Sequence, residues 1–293
     1  MMVSRFAPTP SGYLHAGNAL NFILTWTLVR AHHGTLHLRI DDLDAARTKP
    51  EYIAHIFRVL TWLGLDWDEG PCDVASFERT FALKHRMARY EAFKQSILSH
   101  PLVYACECSR KEILQHNPSG RYPFTCKDKN LSFVPRKHAL RLHIEESSSA
   151  NAKSVASTMG DFVIWRKENL PAYQLASLVD DWRMGTTLLV RGEDLLPSTK
   201  AQRYLAEQFG LDAFLKVDSY HHALLTTSNA QKLSKSQRAS PLDLSVSPKP
   251  LFEIASQTLG VANCANAHTL LHAYSQGISE SSAGAIFELG GEK

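Results

Sequence analysis

Val3-Ser4-Arg5-Phe6-Ala7-Pro8-Thr9-Pro10-Ser11-Gly12-Tyr13-Leu14-His15-Ala16-Gly17-Asn18 decides how the rest of the chain is read. Val3 to Ala7 reads as a strand, Pro8 to Gly17 as a proline- and glycine-bearing loop, and the apolar run from about Asn18 to His32, closed by Gly34, as a helix. That order suits nucleotide binding, because a helix start turns unpaired N–H groups and the positive end of its dipole toward a phosphate. Gly17 lets the phosphate approach the backbone, His15 supplies an imidazole donor, and Asn18 is a good helix N-cap.

Downstream, Leu36, Leu38 and Ile40 alternate with Thr35, His37 and Arg39 as a strand that runs into the acidic turn Asp41-Asp42-Leu43-Asp44. A helix follows from Pro50, with Ile53, Ile56, Phe57, Leu60 and Leu63 at helical spacing before Gly64, and another is predicted from about Phe77 to Ser99. Alternating β and α elements imply a parallel sheet with crossover helices, hence an α/β fold. From Tyr104 to about Lys137 the periodicity gives way to a Cys-, Pro- and Gly-bearing stretch, which reads as an insertion held by local chemistry. Strands at Leu140–Ile144 and Phe162–Trp165 come next, then apolar runs at Leu175–Val179 and Leu188–Val190 and a helix from Ser198 to Phe209. A polar loop carries Lys232-Leu233-Ser234-Lys235-Ser236, and helices are predicted at Pro250–Leu259 and His268–Tyr274.

The 293 residues, 44% hydrophobic and 21% charged, are ordinary for a globular protein and allow one large or two modest domains. No run approaches the 18 apolar residues of a membrane span, and the start has no signal-peptide apolar region, so no membrane association and a cytoplasmic location are expected. A net charge of +3 permits a local basic face without requiring one. Arg136, Lys137, His138, Lys127 and Lys129 cluster near the insertion, where a solvated face is the commoner meaning of such groups. Cys106, Cys108 and Cys126 crowd together while Cys72 and Cys264 stand apart, a pattern of reduced thiols with a metal site. Three soft anionic ligands and one harder donor suit tetrahedral Zn²⁺; on ligand chemistry alone His116 is the better fourth donor.

Five blocks in order then resemble one family. Arg5 to Gly12 with Leu14-His15-x-Gly17, then Leu38 to Asp44, then Ala172-Tyr173-Gln174-Leu175-Ala176 with Val179-Asp180-Asp181, then Val190-Arg191-Gly192-Glu193-Asp194-Leu195, then the lysine loop, are similar to the catalytic core of glutamyl-tRNA synthetases, within the class I aminoacyl-tRNA synthetases. The 57 residues after Ser236 (293 − 236) are too few for the helical anticodon-binding region of a full member, so the chain resembles the truncated glutamyl-Q tRNA(Asp) branch. Cys106-x-Cys108, Tyr122 and Cys126 match the zinc site of that branch, and the resemblance thereby favours Tyr122 over His116 as fourth ligand.

The resemblance implies a Rossmann-like catalytic domain in two halves, 1–103 and 187–247, with a zinc-bearing acceptor-type subdomain inserted at 104–186. A short helical C-terminal region at 248–293 replaces any anticodon-binding domain. It implies tRNA-independent activation of L-glutamate by ATP and Mg²⁺, then transfer to queuosine in the anticodon loop of tRNA(Asp), by a monomer. His15, Gly17 and Asn18 are expected on the ATP phosphates, with Lys232 and Lys235 neutralising the pyrophosphate side. Arg5, Ala7, Thr9, Asp41, Tyr173 and Arg191 are expected around glutamate, with Arg5 reading the γ-carboxylate; Asp41 stands where the family usually has a glutamate, one methylene longer. Another tRNA acceptor, and a catalytically silent paralogue that binds tRNA or an amino acid, are the competing readings.

Overall fold

The computed structural model describes residues 1–225 and 240–280; the Lys232–Ser236 loop, with Lys232 and Lys235, lies outside the described residues. In chain order the elements are β1 (Val3–Phe6), α1 (Ala16–Ala31), β2 (Thr35–Leu38), α2 (Pro50–Leu63), α3 (Val74–Ser76), α4 (Leu83–Ile97), β3 (Val103–Cys106), α5 (Arg110–His116), β4 (Ala139–Leu142), α6 (Ala150–Thr158), β5 (Phe162–Trp165), α7 (Tyr173–Arg183), β6 (Leu188–Gly192), α8 (Leu196–Gln208), α9 (Asp212–Leu215), β7 (Asp218–His222), α10 (Lys249–Thr258) and α11 (Ala267–Glu280). The described residues form two compact units, one of Met1–Leu83, Thr186–Leu195 and those described from Val217 on, the other of Lys84–Gly185 and Leu196–Lys216.

In the first unit β1 pairs with β2 and β6 with β7, both in parallel, with registers running from Val3↔Thr35 to Phe6↔Leu38 and from Leu188↔Asp218 to Gly192↔His222. The two ribbons meet at their starts: the Val3 amide donates to Thr187 Oγ1 at 2.9 Å, the Thr187 amide to the Val3 carbonyl at 2.8 Å, and Ser4 Oγ to the Leu188 carbonyl at 2.8 Å. α1 is apolar on most of its circumference and packs against these strands and against α10 and α11. Leu20, Ile23, Leu24 and Leu28 are buried there, each contributing roughly 1.5–3 kcal/mol by leaving water. α2 follows its sequence signals: Pro50 opens it, Ile53, Ile56, Leu60 and Leu63 turn to the core, and Gly64 ends it at φ 69°.

One predicted helix divides. The stretch expected to be helical from Phe77 to Ser99 begins as a π-helical turn over Phe77–Phe81 and restarts at Leu83, whose amide is received by both carboxylate oxygens of Asp42 at 3.0 and 2.9 Å. The restart thus rests on a cap 41 residues away in the chain, which no local pattern shows.

The second unit is built on the antiparallel sheet β3-β4-β5, with a register shift at Leu140/Arg141. α4 and α7 are locked by Asp180, whose Oδ2 accepts from Arg86 Nη1 at 2.7 Å and Tyr90 Oη at 2.5 Å, all three groups being buried. α8 packs on α6 and α7, and Tyr204 from α8 receives the Glu145 amide at 3.0 Å.

Candidate active site and candidate metal centre

The carboxyl ends of parallel strands are where α/β sheets bind ligands, and in the first unit the predicted residues gather at those ends. Past β1 and β2 the chain stays paired: the Arg39 amide donates to the Phe6 carbonyl and the Asp41 amide to the Pro8 carbonyl, each at 2.9 Å. Ala7 and Thr9 are therefore set beside Asp41 by backbone hydrogen bonds. Arg5 in β1 and Arg191 in β6 are 4% and 3% exposed. Beside Arg191, Gly192 keeps its place for a steric reason, since a Cβ there would lie 2.6 Å from Asp194 Oδ1 and 2.9 Å from Leu224.

The helix start differs from expectation. His15, not Asn18, is the N-cap of α1, in extended backbone at φ −121° and ψ 174°. Its Nδ1 accepts the Gly17 amide at 3.1 Å, and the Asn18 side chain reaches back to accept the His15 amide at 3.1 Å. Asn18 is the third helical residue, completing a reciprocal box. An Nδ1 that accepts a hydrogen bond carries no proton, so the neutral imidazole holds its proton on Nε2 and can donate only from there. The Gly17 amide, expected to face a phosphate, is committed to the imidazole.

The loop is also fixed from behind. The Leu14 carbonyl accepts the Leu242 amide at 3.0 Å, and the ring of buried His55 in α2 meets the neighbouring Tyr13 ring edge-on at 5.1 Å. Leu242 lies seven positions after Lys235, so the stretch that follows the lysine loop is tied to the residue that precedes His15. Asn21 of α1 donates to the Val190 carbonyl at 3.1 Å and meets His222 Nε2 at 3.2 Å, joining the helix to β6 and β7. Nothing in the sequence singles out His55 or Asn21, each being one of several polar residues in its helix.

Asp41 is not an open carboxylate. Arg39 Nε meets its Oδ1 at 2.8 Å and Nη2 its Oδ2 at 3.0 Å, a two-pronged pair with both side chains below 8% exposure. Tyr173 belongs to the second unit, where it is the half-buried first residue of α7.

The second unit also holds the cysteine cluster. β3 ends at Cys106, Cys108 sits in the turn beyond it, Ser109 caps α5 in a reciprocal box with Glu112, and the chain returns through Tyr122 to Cys126. The three sulfurs lie within 4.8 Å of one another, Cys108 and Cys126 being 3.5 Å apart. Tyr122 Oη is 3.4 Å from Cys106 Sγ and 3.9 Å from Cys108 Sγ, and it receives the Cys126 amide at 2.8 Å. Around Zn²⁺ with bonds of about 2.3 Å to sulfur and 2.0 Å to oxygen, tetrahedral edges measure roughly 3.5–3.8 Å, so three cysteines and a tyrosine fit the ion. His116 is exposed on α5 with its Nδ1 against the Glu112 carbonyl of its own helix, and among the described residues it is not part of the cluster.

Burial, with the hydrogen bond to Cys126 next, pushes the Cys108 thiol up to about 11. Burial acts the same way on Cys126, but hydrogen bonds from Tyr122, the Glu107 backbone and its thiol neighbours outweigh it and hold that thiol low. Burial raises Tyr122 as well. A metal would therefore have to displace protons from Cys108 and the phenol to bind. Of the basic groups nearby, Lys127 contacts His143 at 2.8 Å, Lys129 pairs with Glu107 at 2.9 Å and His138 is buried, whereas Arg136 and Lys137 are exposed. No described helix is long and apolar enough to cross a membrane.

Comparison with known proteins adds the family. The catalytic-domain model described as "tRNA synthetases class I (E and Q)" matches residues 1–246. Relatives from Synechococcus sp. and Nocardia farcinica, each named "Glutamyl-Q tRNA(Asp) synthetase", are 35% and 36% identical, over 87% and 88% of this chain and 85% and 84% of their own. A solved glutamate tRNA ligase from Elizabethkingia meningosepticum, in complex with its amino acid, shares the fold at TM-score 0.66 and 23% identity, over 81% of this chain and 52% of that one. A glutamate-tRNA synthetase from Elizabethkingia anophelis does so at 0.67 and 24%, over 81% and 53%. The chain spans about half the length of these two solved chains.

Proposed function

Because the chain belongs to the class I tRNA synthetases of the E and Q type, we propose that it activates L-glutamate with ATP, without tRNA, and transfers the glutamyl group to queuosine in the anticodon loop of tRNA(Asp). The glutamate α-carboxylate attacks the α-phosphate in line, forming glutamyl-adenylate and releasing pyrophosphate. A hydroxyl on the cyclopentene ring of queuosine then attacks the activated carbonyl, and AMP leaves. Neither step needs a covalent enzyme intermediate, so positioning and charge stabilisation supply the rate.

The observation that carries this reading is the hydrogen bond from Leu242 to Leu14, which brings the flank of the lysine loop to the His15 loop as a shared triphosphate site requires. There the Nε2–H of His15 donates to a phosphate oxygen that gains charge during displacement, and Lys235, with Lys232, neutralises the departing pyrophosphate. Mg²⁺ on the triphosphate would spread the same charge further. Buried Arg5 and Arg191 supply the guanidinium groups an acidic amino acid needs in a dry site, each charge-assisted bond contributing about 1.5–3 kcal/mol. Glutamine offers neither guanidinium an anionic oxygen, so it forgoes the charge-assisted part of each bond and is bound less well. Thr9 and Ala7 line the approach, and Asp41, held by Arg39, supplies negative charge for the α-amino group. Cys106, Cys108, Cys126 and Tyr122 hold a structural Zn²⁺ that staples the end of β3 to the following loop. The match to relatives named glutamyl-Q tRNA(Asp) synthetase, along most of their length, supports this acceptor.

The test offers labelled glutamate and ATP to the purified protein with queuosine-containing tRNA(Asp), queuosine-lacking tRNA(Asp) and tRNA(Glu). Label on the first alone is expected. Label on tRNA(Glu) moves the acceptor to a tRNA end, and absence of glutamate-dependent ATP–pyrophosphate exchange overturns the enzyme mechanism.

A further inference from the structure

The cysteine cluster has a cation pressed against its tyrosine. Arg141 of β4 stands opposite Tyr104 of β3 in the cross-strand register, two residues before Cys106, and its guanidinium carbon lies 3.7 Å from the centroid of the Tyr122 ring. The arginine is buried and is anchored at its far side by Nη1, which donates to the Asp161 carbonyl at 2.9 Å. Asp161 is itself held in place, by the Tyr104 hydroxyl at 2.7 Å, the Ile144 amide at 2.9 Å and His143 at 3.1 Å. The guanidinium is thus fixed over one face of the ring whose oxygen lies among the three sulfurs.

Three thiolates and a phenolate around a divalent cation form a doubly negative cluster, and a buried net charge of that size is costly unless a cation lies close by. Lys129 is exposed and pairs with Glu107, and Lys127 is engaged with His143. Arg141 is the buried cation in direct contact with a ligand, and a cation over an aromatic face gains most where water is excluded. Resting on the reading that this cluster binds zinc, we propose that Arg141 is a positioning residue of the metal centre. It fixes the plane of the Tyr122 ring so that the phenol oxygen points at the metal, and it compensates the negative charge that metal binding leaves in the unit.

The experiment measures zinc content of the purified protein and the rate of zinc release to excess chelator for wild type, Arg141→Gln, Arg141→Lys, Tyr122→Phe and the double variant Arg141→Gln/Tyr122→Phe. Cobalt-substituted spectra report ligand geometry. Removal of an outer-shell partner typically costs 10- to 100-fold in metal affinity, so Arg141→Gln should speed release about tenfold or more and alter the cobalt bands. Arg141→Lys, which keeps the charge and loses the stack, should fall between. In the Tyr122→Phe background, Arg141→Gln should add little. An equal acceleration with and without the Tyr122 hydroxyl assigns Arg141 to the fold alone and overturns the proposal, as do unchanged release and spectra. A wild-type chain that binds no zinc overturns the metal reading itself, a result distinct from zinc-loaded wild type with an indifferent Arg141.

Discussion

Arg39 grips Asp41 with two nearly parallel hydrogen bonds, Nε to Oδ1 at 2.8 Å and Nη2 to Oδ2 at 3.0 Å, at the buried end of β2. A shorter carboxylate in the place the family gives to glutamate is thereby held rigidly against its own strand. Removing one member of such a pair leaves a buried charge and costs about 3–5 kcal/mol, while replacing both by apolar groups is often close to neutral. Arg39→Met should therefore lower the urea midpoint sharply, and Arg39→Met/Asp41→Leu should recover much of the loss. A double variant no more stable than Arg39→Met would show that the pair is not the source of the effect.

The cap on α1 separates two roles of His15. Asn is among the best N-cap residues, so His15→Asn should keep the melting temperature within a degree or two of wild type. It removes the Nε2 donor, and by comparison with other lost transition-state donors ATP–pyrophosphate exchange should fall about 10²-fold or more. Equal loss of exchange and of thermal stability would make His15 chiefly a cap.

The apolar periodicity of Leu36 to Leu38 and of Ile53 to Leu63 was enough to locate β2 and α2, because both elements bury one regular face. The start of α1 was misjudged by two residues, since histidine is a rare cap and Asn18 a common one, and only the backbone shows which residue leaves the helix. The run Leu175–Val179 lies inside α7, buried through Asp180 and Asp181, where a mostly apolar stretch of that length does not distinguish strand from helix. The cysteine cluster is legible in the sequence because Cys106, Cys108 and Cys126 lie within 21 positions. Ligand chemistry alone does not choose Tyr122 over His116, for the choice depends on α5 turning His116 onto its own Glu112 carbonyl and on the loop beyond α5 bringing Tyr122 against Cys106 and Cys126. Asp42 with Leu83, and Leu14 with Leu242, are contacts between segments whose meeting no local pattern encodes.

Asp180 falls in a block that resembles the catalytic core, yet its carboxylate is held by Arg86, Tyr90 and Arg89 within its own unit. Tyr90→Phe removes one hydrogen bond to a charged, buried acceptor and should cost about 1.5–3 kcal/mol. The value of kcat for glutamate activation should stay near that of wild type, because Tyr90 is fully buried and its hydroxyl joins α4 to Asp180 of α7. A fall in kcat without a fall in stability would return Asp180 to the chemistry.

Three histidines set the acid limit of stability. Burial, the largest influence in each case, pushes His37, His55 and His222 below their ordinary 6.5, with Arg58 adding to the effect at His55 and the Ala223 carbonyl opposing it at His222. Each folded imidazole therefore binds a proton less readily than the unfolded one. The stability they contribute is complete above about pH 6.5 and is lost as pH falls through the lower folded values, by at most about 1.4 kcal/mol per pH unit for each group. The carboxylates that the fold holds low, Asp68 and Asp73 among them, start from 3.8 and act only in stronger acid. Urea midpoints should thus decline between pH 7 and pH 5. His222 is 4% exposed, and His222→Asn should flatten that slope while lowering stability at pH 7.5. An unaltered slope in the variant would remove His222 from the set that causes it.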